Sequence, residues 1–158
     1  MTSRKSCLPM VEFSLLCEGN IASIMPIETR LFAEECWSEG QVKSQLNNPR
    51  CLNLAVSISK ELLGFVLVSS VLDEAELYQI AILPKAQGLG LATSLLHELV
   101  NRLKDLGITR LMLEVRETNT AAVKLYTSFG FVLDGCRKGY YTSLQGREDA
   151  LLYSYQII

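Results

Sequence analysis

The sequence predicts a mixed α/β domain spanning residues 1–158, with the element order β-α-α-β-β-β-α-β-α-β-β. Three observations predict it. The apolar run Ile80-Ala-Ile-Leu-Pro84 ends in a glycine turn, Gln87-Gly-Leu-Gly-Leu-Ala92, that opens into a helix with leucines recurring at three and four residues. Arg110-Leu-Met-Leu-Glu-Val-Arg116 alternates apolar and polar side chains with the period of a strand. The remaining β-rich runs come in consecutive groups, unlike the regular alternation of a doubly wound fold.

Val11 to Leu16 reads as the first strand. Ile21, Ile24, Met25, Leu31 and Phe32 mark an amphipathic helix reaching about Cys36, with Pro26 near its start. Ser38 and Gln41 form a capping box for a second short helix ending near Leu46, and Asn47-Asn-Pro-Arg50 is a turn. Leu52–Ser57 and Gly64–Val71 read as strands joined by a hairpin turn at Lys60-Glu61. Asp73-Glu-Ala-Glu76 leads into a fourth strand, Leu77–Leu83. In the long helix the stripe comprises Leu89, Ala92, Leu96, Leu99, Leu103 and Leu106, and Gly107 is its cap. Asn119–Ser128 is a fourth helix stopped by Gly130, and Phe131–Tyr141 and Asp149–Gln156 close the sheet around Leu144-Gln-Gly-Arg147.

The composition bounds the function. With 49% apolar and 20% charged residues and a net charge of −2, the chain lacks the basic surplus of a general nucleic-acid binder. No apolar run approaches the roughly 20 residues that span a bilayer. The first ten residues carry Arg4 and Lys5 with no apolar stretch behind them, so no secretory signal is expected and the location is read as cytoplasmic. The cysteines Cys7, Cys17, Cys36, Cys51 and Cys136 are odd in number and widely spaced, and there is one histidine. They read as small buried thiols in a reducing compartment, with no metal site.

The glycine turn is built to hold an anion, because glycine lets the backbone approach a ligand and the first N–H groups of a helix have no internal partner. A nucleotide P-loop needs a Lys and a Ser or Thr after the last glycine, where Leu91-Ala92 stand. A dinucleotide fingerprint needs a third glycine or alanine where Thr93 stands. Gln-x-x-Gly-x-Ala fits Gln87, Gly90 and Ala92 completely, and it resembles the pyrophosphate turn of the GNAT superfamily of N-acetyltransferases, which hold acetyl-CoA.

Neighbouring segments make the resemblance specific. Cys36-Trp-Ser-Glu39, Asp73-Glu-Ala, Gln79-Ile-Ala-Ile82, Leu113-Glu-Val-Arg116, Asn119, Ala121-Ala122, Leu125-Tyr126, Gly130-Phe131, Tyr140-Tyr141 and Gly146-Arg-Glu-Asp-Ala150 together resemble the RimI-type ribosomal-protein alanine N-acetyltransferases. The likeness covers nearly the whole chain and implies the GNAT acyl-CoA N-acyltransferase fold. One departure stands out. Only Lys85 and Ala86 separate Pro84 from Gln87, where the family carries a longer stretch with an arginine or tyrosine.

Transfer of acetyl to an amine needs a base, because a free α-amine with pKa about 7.7–8.0 is largely protonated at neutral pH. Strand alternation sets Glu114 with Met112 and Arg116 on the face opposite Leu111, Leu113 and Val115. A mid-strand carboxylate fits a polar cleft; it fits equally an edge position paired with Arg116 or Arg110. The resemblance makes Glu114 the general base. Tyr126 falls on the buried face of its helix with Ala122, Leu125 and Phe129, the usual place of a core tyrosine. The resemblance makes it the acid that protonates the departing thiolate.

Asn119 is a helix cap that the resemblance also sets against the pantetheine arm. Ile80, Ala81 and Ile82 are expected to bind that arm through the backbone as an added strand would. Gln87, Gly88, Leu89, Gly90, Leu91 and Ala92 are expected at the pyrophosphate. Trp37, Tyr140 and Tyr141 flank the acceptor in the family; as plain structure they are a helix anchor and an aromatic strand pair. His97 shares the polar helix side with Asn101 and Lys104 and reads as a surface histidine, and Cys136 has no histidine to activate it for a covalent route. Asp73, Glu74 and Glu76 concentrate negative charge suited to steering a basic tail, or form a solvated loop.

The expected activity is transfer of acetyl from acetyl-CoA to the N-terminal alanine of a protein, by resemblance the small-subunit ribosomal protein numbered eighteen, with no metal, membrane or direct nucleic-acid partner. The alternatives are a broader Nα-, lysine or small-amine acetyltransferase, and a non-catalytic acyl-CoA-binding domain. A pure binder needs neither Glu114 nor Tyr126.

Overall fold

The computed structural model describes residues 10–158. The first nine residues, with Cys7 and the basic Arg4 and Lys5, lie outside that range. The elements follow the expected order: β1 (Val11–Leu15), α1 (Ile21–Phe32), α2 (Glu39–Asn47), β2 (Cys51–Ile58), β3 (Glu61–Val71), β4 (Glu74–Ile82), α3 (Leu91–Asp105), β5 (Arg110–Arg116), α4 (Thr120–Phe129), β6 (Val132–Ser143) and β7 (Gly146–Gln156). Short 3₁₀ turns occupy Glu18–Asn20, Ala33–Glu35 and Pro84–Ala86. The seven strands form one sheet in the order β1-β2-β3-β4-β5-β7-β6. Every pairing is antiparallel except that of β4 with β5.

Each face of the sheet carries a helical layer. Leu54, Val56, Val66, Val68, Leu111 and Leu113 face Leu95, Leu96, Leu99 and Leu103 of α3, with Tyr126 of α4 beside them. Ala55, Phe65, Leu67 and Ala81 point the other way and pack against Ile24 and Ile27 of α1 and Val42 of α2. Period-two alternation thus delivers one strand to two cores. Gln45 fastens α2 to the sheet: its Nε2 donates to Asn53 Oδ1 at 2.9 Å and to the Val68 carbonyl at 3.1 Å.

Local signals hold where the chemistry is local. Ser38 and Gln41 form the capping box of α2, with Gln41 N–H donating to Ser38 Oγ at 3.2 Å and Ser38 N–H to Gln41 Oε1 at 2.8 Å. The end of α3 is a Schellman pair, Gly107 N–H to Lys104 and Ile108 N–H to Leu103.

Several expectations need correction. The β2–β3 hairpin turns at Ser59-Lys60, both with positive φ, one residue earlier than expected. β4 already begins at Glu74, so Glu74 to Glu76 are strand residues. α1 stops at Phe32 because Ala33 has φ 46°, which breaks the helical path before Cys36. Leu89 and Leu106 are exposed, since one lies in the turn before α3 and the other is its cap; Leu91 and Leu95 take their place in the buried stripe. The cysteines within the described residues are free as expected but not buried: Cys17 and Cys136 are exposed, Cys36 and Cys51 partly so. They sit in connections, at a strand start and on the edge strand β6, away from both cores.

Candidate functional site

A single irregularity in β4 opens the site. Val68 pairs with Leu77 but Leu67 pairs with Gln79, so Tyr78 is an extra, bulged residue. A bulge shifts the side-chain parity. Leu77 faces the α3 core, Tyr78 and Gln79 both lie on the α1 side, and from there Ala81 follows Gln79. The same point ends the pairing with β5, which runs only from Glu74↔Arg110 to Leu77↔Leu113. Beyond it β4 stays with β3 and β5 with β7, and the two strands splay into a wedge. Among the described residues, Ile80–Ile82 therefore carry an edge with no strand partner on the β5 side, suited to binding an extended amide chain.

At the open end of β4 lies the glycine turn. Gly88 and Gly90 have φ of 80° and 77°, and a Cβ on either would meet nothing within 4 Å. Conformation, not crowding, calls for glycine here. Gly90 is the N-cap of α3, and the first intrahelical bond is Ser94 N–H to the Gly90 carbonyl at 3.0 Å. The preceding N–H groups of the first turn have no acceptor within the helix. The short approach is a 3₁₀ turn, Pro84–Ala86, with Ala86 buried, and Gln87 Nε2 donates to the Ile82 carbonyl at 2.9 Å. Gln87 thus ties the turn to the strand end.

Two cavities meet along the wedge. One, of about 450 Å³, is lined by Ile80, Ala81, Ile82, Gln87, Gly88, Gly90, Leu91, Ala92 and Asn119, and also by Thr93, Ala121 and Leu125. The other, of about 260 Å³, is lined by Trp37, Tyr78, Glu114, Arg116, Tyr126 and Tyr141. They share Phe32, Ile80, Asn119 and Ala122. A larger opening of about 520 Å³ between the Ala33–Glu35 turn and the β6–β7 hairpin shares Phe32, Glu35 and Arg116 with the second. Leu89 lines neither of the first two, and its side chain faces solvent. Tyr140 also stays outside, exposed, with its ring edge-on to Tyr141 at 5.1 Å.

Glu114 is half-hidden on the α1 face of β5, as its alternation requires. Its charge partner is neither Arg116 nor Arg110, but Arg137, whose Nη1 lies 3.5 Å from Oε1. The expected partners are engaged elsewhere. Arg116 contacts Glu35 and Glu148 and lies 4.3 Å over the Tyr141 ring; Arg110 contacts Glu74 and Asp134. Arg137 sits on an edge strand, and its own strand pattern carried no signal of this contact. Tyr78 was detectable only as a break in the alternation of β4.

Tyr126 is buried with its ring 5.4 Å from Phe131. Burial pushes its hydroxyl above the ordinary phenol range, so it keeps its proton until a strong base is presented. Burial, and then the Glu114 charge, also raise Tyr141, against Arg116 and Arg137. Glu76 is raised by desolvation first and by Glu114 second, with Arg137 opposing. Of the acidic group at the start of β4, Asp73 accepts from Thr109 Oγ1 at 3.2 Å and Glu74 pairs with Arg110, leaving Glu76 to face Glu114.

Asn119 is the cap of α4, its Oδ1 accepting from Ala122 N–H at 3.3 Å, which leaves its amide N–H₂ for a ligand. His97 is exposed, its ring tilted against Phe129 with centroids 4.6 Å apart. Partial desolvation, then the Asp149 carboxylate, raise the Cys136 thiol, which disfavours a thiolate nucleophile. None of the described helices is long and apolar enough to cross a membrane.

Residues 21–131 match the model of the acetyltransferase (GNAT) family. The chain is 37% identical over 150 residues to the [ribosomal protein bS18]-alanine N-acetyltransferase of Salmonella typhimurium, covering 94% of this chain and 99% of that one. It superposes on the crystal structure of the ribosomal-protein-S18-alanine N-acetyltransferase from Escherichia coli with a TM-score of 0.87, at 36% identity and 94% coverage of both chains. Arabidopsis thaliana NAA60 in complex with acetyl-CoA shares the fold, with a TM-score of 0.83, at 17% identity over 93% of this chain and 99% of that one.

Proposed function

This chain belongs to the acetyltransferase (GNAT) family, and from that premise we propose that it moves an acetyl group from acetyl-CoA to the N-terminal alanine of a ribosomal small-subunit protein. The observation that carries the reading is that Glu114 and Tyr126 line one chamber, and that this chamber adjoins the anion-binding cleft through Ile80 and Asn119. A domain that only held the cofactor would need no acid and base facing each other across the wedge. The names of the Salmonella and Escherichia coli relatives point to ribosomal protein bS18 as acceptor. Such an acceptor sets the place of action in the cytoplasm, where ribosomal proteins are made.

The residues present fit acetyl-CoA, which supplies an acetyl thioester when bound. Free N–H groups at the Gly88–Ala92 turn suit its pyrophosphate. The unpartnered edge of Ile80–Ile82 and the amide of Asn119 suit the pantetheine amides. Trp37, Tyr78 and Tyr141 frame the acceptor chamber on the α1 side of the sheet.

In that chamber Glu114 takes a proton from the ammonium, freeing the lone pair that forms the new C–N bond. Tyr126, on the other face, gives its hydroxyl proton to the sulfur as the C–S bond breaks. Its raised pKa suits this role, because it remains protonated through the working range and yields the proton only to the basic leaving thiolate. The proton held by Glu114 returns to solvent, and the second proton that the nitrogen sheds as the amide forms offsets the one Tyr126 gives to sulfur and regains, so the net reaction releases one proton. No enzyme-bound acetyl group is required.

Peptides beginning with Ala, Ser or Met, and one with only an internal lysine and a blocked N-terminus, tested with acetyl-CoA and read by mass spectrometry, decide the matter. The expected product is acetyl on the α-amine of the alanine peptide. Acetylation confined to the lysine peptide would overturn the N-terminal assignment.

A further inference from the structure

Glu28 has no place in the chemistry above, yet among the described residues it is the one charged side chain that is fully buried. It sits on the buried face of α1, next to Ile27 and one turn on from Ile24, against the sheet. A carboxylate in such surroundings is unfavourable unless strong donors hold it. Both donors come from outside its own helix. Trp37 N–H reaches Oε1 at 2.6 Å, and Gln79 Nε2 reaches the same oxygen at 2.8 Å. Glu28 Oε2 and Gln79 Oε1 receive no hydrogen bond from the described residues. A leucine would fill the same space but leave the Trp37 N–H and the buried Gln79 amide without their acceptor, so the acid is there for these two donors.

What the two donors have in common is the acceptor chamber. Trp37 lies in the connection between α1 and α2, and its ring packs tilted against Tyr78 with centroids 5.8 Å apart. Tyr78 is the bulged residue next to Gln79, and both rings line the chamber that holds Glu114. One carboxylate oxygen therefore fastens the loop and the bulge to each other.

We propose that Glu28 is a positioning residue for the acceptor, holding Trp37 and the Tyr78–Gln79 bulge as one rigid wall of the chamber. The proposal rests on the reading of that chamber as the acceptor site. Its structural half, that Glu28 immobilises Trp37, stands apart from that reading. Glu28 touches neither reacting centre, so its removal acts on acceptor binding and not on the chemical step.

Trp37 is the only tryptophan, so its fluorescence reports this wall alone. Glu28→Leu and Glu28→Gln are compared with the parent in steady-state kinetics on an N-terminal-alanine peptide and in acrylamide quenching of Trp37. Loss of charge-assisted hydrogen bonds in Glu28→Leu is expected to raise the KM for peptide about tenfold, and Glu28→Gln, keeping one carbonyl acceptor, about threefold. The KM for acetyl-CoA stays within about twofold in both, and the quenching constant rises in the same order as the peptide KM. A folded Glu28→Leu with unchanged peptide KM overturns the proposal, as does a parallel rise in both KM values. Where Glu28→Leu does not fold, Glu28→Gln decides by the same two readings. Should the parent acetylate no N-terminal peptide, the function reading fails, and unchanged quenching in the variants would still dispose of Glu28 as the anchor of Trp37.

Discussion

The Glu114 carboxylate stands 3.5 Å from the Arg137 guanidinium, an ion pair that reaches across β7 from β5 to the edge strand β6. Arg137 in turn lies 5.3 Å over the Tyr140 ring. Both charges are partly exposed, so the pair contributes about 0–1 kcal/mol to stability. Its consequence is orientation: the carboxylate is held in the chamber that Tyr126 also lines.

Replacing Glu114 with Gln keeps the shape and removes the proposed base. Turnover at pH 7 is expected to fall about 10²–10⁴-fold. The defect should shrink above about pH 8, where the α-amine deprotonates unaided. A pH–rate profile on the alanine peptide checks this; full turnover at pH 7 would place the base elsewhere.

Tyr126→Phe leaves the packing against Phe131 and deletes the proposed proton donor. A fall in kcat of about 10²-fold is expected, with little change in melting temperature. In the parent, the raised hydroxyl should produce no loss of rate from tyrosine ionisation as pH approaches the ordinary phenol value of 10.0. Rapid-quench measurement of the chemical step distinguishes this from slow product release.

Glu76 gives a test of the site's electrostatics. Its pKa is raised above the reference 4.5, so the native state disfavours its charged form. Its favourable contribution is present below that reference value and is lost as pH rises through the native pKa. Glu76→Gln should therefore melt higher than the parent at pH 7, by less than about 1 kcal/mol because the group is exposed and screened. The gain should vanish below about pH 4, where both states are protonated. Thermal melts at the two pH values test the sign.

Gly64 is required by space. It pairs with Ile82, and a Cβ there would come within 2.4 Å of the Ala81 carbonyl and 2.6 Å of Ile82 Cδ1. Gly64→Ala is expected to cost about 1–3 kcal/mol. Because it pushes on the strand edge assigned to pantetheine, it should also weaken coenzyme A in calorimetric titration while leaving the peptide KM of residual folded enzyme unchanged.

Much was legible in the chain itself wherever a few neighbouring residues settle the outcome. The Ser38–Gln41 box, the cap at Asn119, the glycine turn before α3 and the two faces of β5 follow from hydrogen-bond geometry and periodicity within one segment. These already specify the element order, the glycine turn proposed to hold an anion and the face on which Glu114 lies. The bulge at Tyr78, the wedge it opens, the burial of Glu28 and the choice of Arg137 as partner of Glu114 do not follow from any one segment. A bulge is a mismatch of register between two strands, and burial depends on what another element lays over a face. Local periodicity tells which way a side chain points; only the folded packing of distant segments establishes what it meets there.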